Sequence, residues 1–149
     1  AYGNVYVARV AMGANPQQTL LAFREAERFS GPSLILAYSH CIAHGIDMRF
    51  GMRQQKMAVS SGHWPLLRYN PVVREEGGNP FMLDSQRPGI KLKDYAEREL
   101  RFRMLAASNP AQAEKLMRAA QQDVDVRWGI YEEMANRGDA SVHFANPTG

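Results

Sequence analysis

The sequence predicts an α/β fold in which a parallel sheet gives way to a C-terminal helical extension. Three observations carry this reading. A helix-start signal, Asn15-Pro16-Gln17-Gln18, is followed past Ser30-Gly31-Pro32 by the apolar run Ser33-Leu34-Ile35-Leu36-Ala37-Tyr38-Ser39. An unbroken apolar run, as opposed to an alternating one, marks a strand covered on both faces, as parallel strands are. The last third of the chain then places apolar residues at three-to-four spacing and reads as helix.

Each element follows from its residues. Val5 to Ala11, rich in β-branched and aromatic side chains, reads as a short strand. Asn15 suits an N-cap, Pro16 the first helical position, and Gln18 completes a capping-box pattern. The helix spans 16–29, with Leu20 and Phe23, and beside them Leu21 and Ala26, on its buried side. Gly31 and Pro32 stop it. Residues 33–39 are then the central strand, parallel to 5–11, with the helix as a right-handed crossover. His40-Cys41-Ile42-Ala43-His44-Gly45 falls in the loop past the C-terminal end of that strand, where open α/β sheets collect ligands and catalytic groups. A second helix covers Met48 to Ser61, and His63 to Pro71 reads as extended, with Pro65 marking an edge or irregular strand. Val72 to Gly89 is loop-like, punctuated by Glu75-Glu76-Gly77-Gly78-Asn79-Pro80 and Pro88-Gly89, with Phe81 to Leu83 as one short strand. Leu92 to Ala107 is a helix with Tyr95, Leu100 and Met104 or Leu105 inward. Asn109-Pro110-Ala111-Gln112 launches another to about Arg137, with Leu116, Ala120, Val124, Tyr131 and Ala135 on its stripe and Gly138 as its stop. Residues 139–149 show no periodicity and read as a loose tail.

Composition narrows the class. The 149 residues, 45% hydrophobic and 22% charged, suit one domain or one domain with an appendage, and exclude a disordered chain, a collagen or a coiled-coil rod. The longest apolar stretch, Leu34 to Tyr38, is far short of the ~20 residues of a membrane helix. No basic-then-apolar leader opens the chain, and its one cysteine, Cys41, forms no internal disulfide, so a cytoplasmic protein is expected. The net charge of +3 is spread among interleaved acids and bases, as in Arg24-Glu25-Ala26-Glu27-Arg28, which argues against a nucleic-acid partner. The opening Ala1-Tyr2-Gly3-Asn4-Val5 has no initiator Met and already lies inside structure. It reads as a chain whose start is removed, or as the tail of something longer.

Self-contained catalytic motifs are absent: no Walker loop, dinucleotide glycine pattern, nucleophile elbow or His-Glu-x-x-His occurs. Glu75-Glu76 and Glu132-Glu133 read as solvated charge. The concentrated signal is His40-Cys41-Ile42-Ala43-His44, which admits four chemistries. Cys41 is a packed structural thiol, or half of a Cys–His pair for which no oxyanion donor is evident. Alternatively it joins His40, His44 and His63 on zinc without the Cys-pair spacing zinc sites favour, or it donates one thiolate to an iron–sulfur cluster whose other ligands lie elsewhere. Spacing alone does not choose among them.

A resemblance adds weight to the last. Tyr6-Val7-Ala8-Arg9-Val10-Ala11-Met12-Gly13-Ala14-Asn15, then Ala22-Phe23-Arg24-Glu25-Ala26-Glu27, then Gly31 through Ile46 resemble the C-terminal part of the pyruvate:ferredoxin (flavodoxin) oxidoreductases, or pyruvate synthases. The likeness continues through Gly62-His63-Trp64-Pro65-Leu66-Leu67-Arg68-Tyr69-Asn70-Pro71, Phe102 to Leu105, Ser108-Asn109-Pro110 and Arg127-Trp128, ending with Tyr131-Glu132. It implies that residues 1–71 end a thiamine-diphosphate-binding α/β domain, 72–91 connect, 92–138 form the helical extension and 139–149 a tail. It further implies an enzyme that oxidatively decarboxylates pyruvate to acetyl-CoA, using thiamine diphosphate with Mg2+ and 4Fe–4S clusters, and passes electrons to ferredoxin or flavodoxin. The rest of the parent chain and a second subunit of a homodimer are implied partners. In the family, the cysteine of Tyr-x-x-Cys-Ile-x-His-Gly is a ligand of the 4Fe–4S cluster nearest the thiamine, and Cys41 matches it. The three partner cysteines, the diphosphate and magnesium motif and the coenzyme A site lie upstream in the family and have no match here, so the chain is expected to be inactive alone. Ser39-His40 departs from the family's Ala-Pro, which gives His40 no family role. Against this stands a different class of function: a non-catalytic basic helical interaction module, in which the long helix from Pro110 serves a partner.

Overall fold

Strand β1 (Tyr6–Val10) pairs parallel with β2 (Ser33–Ala37) on one side and antiparallel with β3 (Leu67–Tyr69) on the other. β3 in turn pairs antiparallel with β4 (Phe81–Leu83), giving the order β2-β1-β3-β4 in a computed structural model that describes residues 3–137. The sheet is therefore mixed; its parallel part is the β1–β2 pair joined through α1 (Pro16–Arg28). This also corrects the place of β2, expected at the centre but found at an edge, with Leu34 50% and Leu36 41% exposed. Its apolar run suits a strand with two covered faces, and among the described residues only one is covered.

The register shows which face that is. Residues directly opposite across a ladder point to the same side. Ala8 faces Ile35 and Arg68, and all three lie on the α1 side; Val7 and Arg9 face Leu34 and Leu36 on the other. Tyr6, Ala8, Val10 and Ala22 form a core to which Ala26, Phe29 and Ile35 add. Thus α1 presents its small residues to the sheet, with Thr19 and Ala22 buried, while Leu20 and Phe23 stand 62% and 53% exposed, the reverse of the expected orientation. Alanine allows the helix backbone to approach the strands closely, so residue size misidentifies the buried face. The Asn15 cap of α1 is as expected, its side chain accepting from the Gln18 backbone N–H at 2.9 Å, but no capping box closes, because the Gln18 side chain donates to the Arg9 carbonyl and to Asp84.

Past β2 come two single turns of 3-10 helix, Ile42–His44 and Met48–Phe50, then α2 (Gly51–Ser60). A short helix absent from the sequence reading, α3 (Pro71–Glu75), begins on another Asn-Pro pair, with Asn70 accepting from the Val72 N–H at 3.1 Å. The helix expected over 92–107 is two, α4 (Leu92–Ala96) and α5 (Leu100–Ser108), broken where Glu99 takes an extended conformation and buries its side chain. Tyr95 is inward as expected, whereas Leu100, Met104 and Leu105 are exposed. The break before Pro110 is present, and the Asn109 side chain caps α6 (Pro110–Asn136) by accepting from Gln112 N at 3.1 Å. Val124 and Trp128 are the buried residues of α6; Leu116 is exposed and Ala120 packs beside Val124.

The second core joins Ala58 of α2, Leu92, Tyr95 and Ala96 of α4, and Val124 of α6. Toward its end α6 lies on the sheet face opposite α1, with Tyr131 stacked on Phe81 at 6.0 Å and near Arg9 at 3.4 Å. No helix among the described residues is long and apolar enough to cross a membrane. The expectations for Gly138 and the tail fall outside the described residues.

Candidate functional site

The Cys41 loop leaves β2 from a fixed point. Tyr38 extends the ladder by donating its N–H to the Val10 carbonyl at 2.9 Å, packs edge-on to Trp64 at 5.5 Å, and shares a 2.7 Å hydrogen bond with the Tyr95 hydroxyl. Burial, foremost, raises the pKa of both tyrosines, so this pair stays protonated and keeps its bond. His40 is held next: its Nδ1 lies 3.0 Å from Gln55 Nε2, whose Oε1 accepts from the Gly13 N–H at 2.8 Å. Gly51 approaches the same imidazole so closely that a Cβ there would collide with it.

Cys41 follows in an extended conformation, half-buried, as the residue that opens the Ile42–His44 turn. The His44 N–H closes that turn on the Cys41 carbonyl at 3.0 Å. Gly45 then takes the left-handed conformation (φ 68°), and its carbonyl accepts from the Leu100 N–H at 3.4 Å. A Cβ at Gly45 would strike the Leu100 side chain, so the loop is clasped by the start of α5. Among the described residues no hydrogen bond reaches the Cys41 sulfur.

Behind the turn lies a carboxylate that the sequence reading missed. Glu99 is completely buried; it accepts from Gln54 Nε2 at 3.0 Å and from Arg101 Nε at 2.5 Å, and its Oε2 is 3.9 Å from His44 Nδ1. His44 Nδ1 is itself buried without a hydrogen-bond partner. A second unforeseen network surrounds Arg68, which grips Asp84 with two bonds of 2.8 Å and Glu25 with one of 2.6 Å. Glu25 also accepts from the Tyr6 hydroxyl at 2.9 Å, so α1, β1, β3 and the segment after β4 are locked together. No sequence pattern pairs these residues, because the partners lie 16 to 43 positions apart.

The structure separates the residues that a zinc site or a Cys–His pair would bring together. His40 turns to Gln55, His44 toward Glu99, and His63 stacks on Tyr95 at 4.8 Å. Among the described residues no three His, Cys, Asp or Glu side chains gather as a metal site. Glu75 and Glu76 are exposed, and Glu133 pairs with Arg137 on the surface, in keeping with solvated charge.

Over 136 residues, 91% of this chain, the sequence is 54% identical to the pyruvate-flavodoxin oxidoreductase of Nostoc sp.. The chain is homologous to one segment of these oxidoreductases. The pyruvate:ferredoxin oxidoreductase of Moorella thermoacetica is 46% identical over 135 residues, and the pyruvate-flavodoxin oxidoreductase of Klebsiella pneumoniae 44% over 137. The chain spans only 11 to 12% of the length of these relatives. No family model matches the chain.

The cofactors that such a family implies can be tested against these residues. Cys41 fits a one-ligand share in an iron–sulfur cluster: it is half-buried, its sulfur is unengaged by the described residues, and its backbone is clasped on both sides. A complete cluster site does not fit, because the chain holds a single cysteine. For thiamine diphosphate and its Mg2+ the described residues offer no cluster of three or more His, Cys, Asp or Glu side chains, and the Glu25 and Asp84 carboxylates are already taken by Arg68.

Proposed function

We propose that this chain works as the C-terminal portion of a pyruvate:ferredoxin/flavodoxin oxidoreductase and that Cys41 supplies one thiolate to the 4Fe–4S cluster nearest the thiamine diphosphate. Residues 1–71 would then end the thiamine-diphosphate-binding domain, and 92–138 would be a helical extension packed upon it. The observation that carries this reading is the placement of Cys41 in a clasped loop just past the C-terminal end of a parallel strand, the region where α/β sheets present ligand-binding groups. When bound, the cluster would supply a one-electron path from the oxidised pyruvate carbons toward ferredoxin or flavodoxin. The chain's own part is positional. Tyr38 and His40 fix the approach to Cys41, and Gly45 and Leu100 fix its departure. Pyruvate, coenzyme A and the remaining cluster ligands would be bound by the rest of the parent chain in a cytoplasmic homodimer, leaving the isolated segment without turnover.

The test is Cys41→Ala in the full-length enzyme. We expect cluster content to fall by one and electron transfer to flavodoxin or ferredoxin to collapse, with thiamine diphosphate still bound. Iron and sulfide analysis and the EPR spectrum of the reduced enzyme read this directly; a full complement of clusters with an unchanged spectrum overturns the assignment.

A further inference from the structure

Resting on the reading of Cys41 as a cluster ligand, we infer that Glu99 is the positioning residue for the Cys41 turn, and that through it the helical extension holds the cluster in place. A carboxylate with no exposed surface is costly and persists where charge and hydrogen bonds offset its desolvation. Glu99 meets that condition while joining three elements: Gln54 of α2 on one oxygen, Arg101 of α5 on the other, and His44 of the cysteine turn facing the second oxygen at 3.9 Å. Three further features mark the arrangement as directed at the turn. Its extended backbone breaks what would otherwise be one helix from 92 to 108, and so aims the side chain inward. The next residue, Leu100, donates its N–H to Gly45 at the end of the turn. His44 Nδ1, on the opposite side, has no other partner for its buried nitrogen. The peptide N–H of that same His44 is bonded to the Cys41 carbonyl, so the carboxylate reaches the thiol-bearing residue through one intermediate side chain. Residues behind a metal ligand commonly fix its orientation in this manner.

The experiment uses the full-length enzyme with Glu99→Gln and Cys41→Ala. The EPR component lost in Cys41→Ala defines the cluster that Cys41 serves. In Glu99→Gln we expect that component to shift in line shape and midpoint potential, and iron to be lost to a chelator about 10-fold faster or more, while the remaining signals stay unchanged. A role confined to folding predicts a lower melting temperature with the Cys41-dependent component unmoved, and that result overturns the inference. Arg101→Gln approaches the same carboxylate from the surface side and is expected to shift the same component; it decides the matter where Glu99→Gln does not accumulate. If Cys41→Ala retains every cluster, the ligand assignment itself fails; if it loses one while Glu99→Gln and Arg101→Gln match wild type, only the role of Glu99 fails.

Discussion

His63 is held below its ordinary pKa of 6.5, mainly by burial against Tyr95, with Arg127 of α6, Arg101 of α5 and Arg9 of β1 adding to the effect and Glu99 opposing it. A histidine with a depressed folded-state pKa binds fewer protons in the folded than in the unfolded state. Its contribution is therefore full above the unfolded value and is lost as pH falls from about 6.5 toward the folded one. Hydrogen exchange of the α4 amides in the parent enzyme should quicken between about pH 7.5 and about pH 5. His63→Gln should flatten that dependence, and an unchanged slope would assign it to other groups. The residues around this site differ in how far the chain declares them. Cys41 stands out because it is the single thiol, set between two histidines at the end of an apolar run. Glu99 does not, because in sequence it is one acid in a charged stretch, and only burial against Gln54 and Arg101 distinguishes it.

At the level of elements, the clasp between Gly45 and α5 yields a sharp expectation. Gly45→Ala imposes a left-handed conformation on alanine, a cost of about 1 kcal/mol, and drives its Cβ into Leu100. In the full-length enzyme the Cys41-dependent EPR component should broaden or disappear. The nearest atom that Cβ would meet is the Leu100 Cβ, so adding Leu100→Gly should recover part of it by removing the collision but not the backbone strain; no recovery would show that the Leu100 side chain is not what Gly45 accommodates. The helix starts were legible because each is a local device. Asn15-Pro16 and Asn109-Pro110 cap as their residues suggest, and Asn70-Pro71 uses the same device for a helix of five residues, too short to leave an apolar period. Burial was harder to read. α1 hides alanine and threonine and exposes leucine and phenylalanine, since the sheet rewards close approach, and what lies on its outer side is not encoded in its own periodicity. β2 carries apolar residues on both faces, but strand order depends on which partners arrive, and β3 and β4 pair on the far side of β1.

At the scale of the whole molecule, apolar side chains among the described residues stand open on the β2 edge, at Leu34 and Leu36, and on the outer side of α1, at Leu20 and Phe23. An uncovered edge strand with apolar faces invites pairing with another chain. The 149-residue segment produced by itself should accordingly self-associate in sedimentation velocity. Leu34→Lys with Leu36→Glu should shift it toward monomer, and a monomeric parent segment would show that these surfaces are tolerated in water. The other side of the molecule is finished differently, because α6 is fastened at both extremities. Its first turn is capped by Asn109, and near its last turn the Asn79 side chain donates to the carbonyls of Met134 and Ala135 at 2.9 and 3.1 Å. Between those points Val124 and Trp128 must face the core while Tyr131 meets Phe81. Each residue advances a helix by about 100° and about 1.5 Å. A single insertion or deletion between 110 and 123 would thus swing the buried pair out of the core or pull the far end from Asn79. The length of this helix is a count the fold must keep, so chains that diverge elsewhere are free to change its surface letters but not to add or drop one of them.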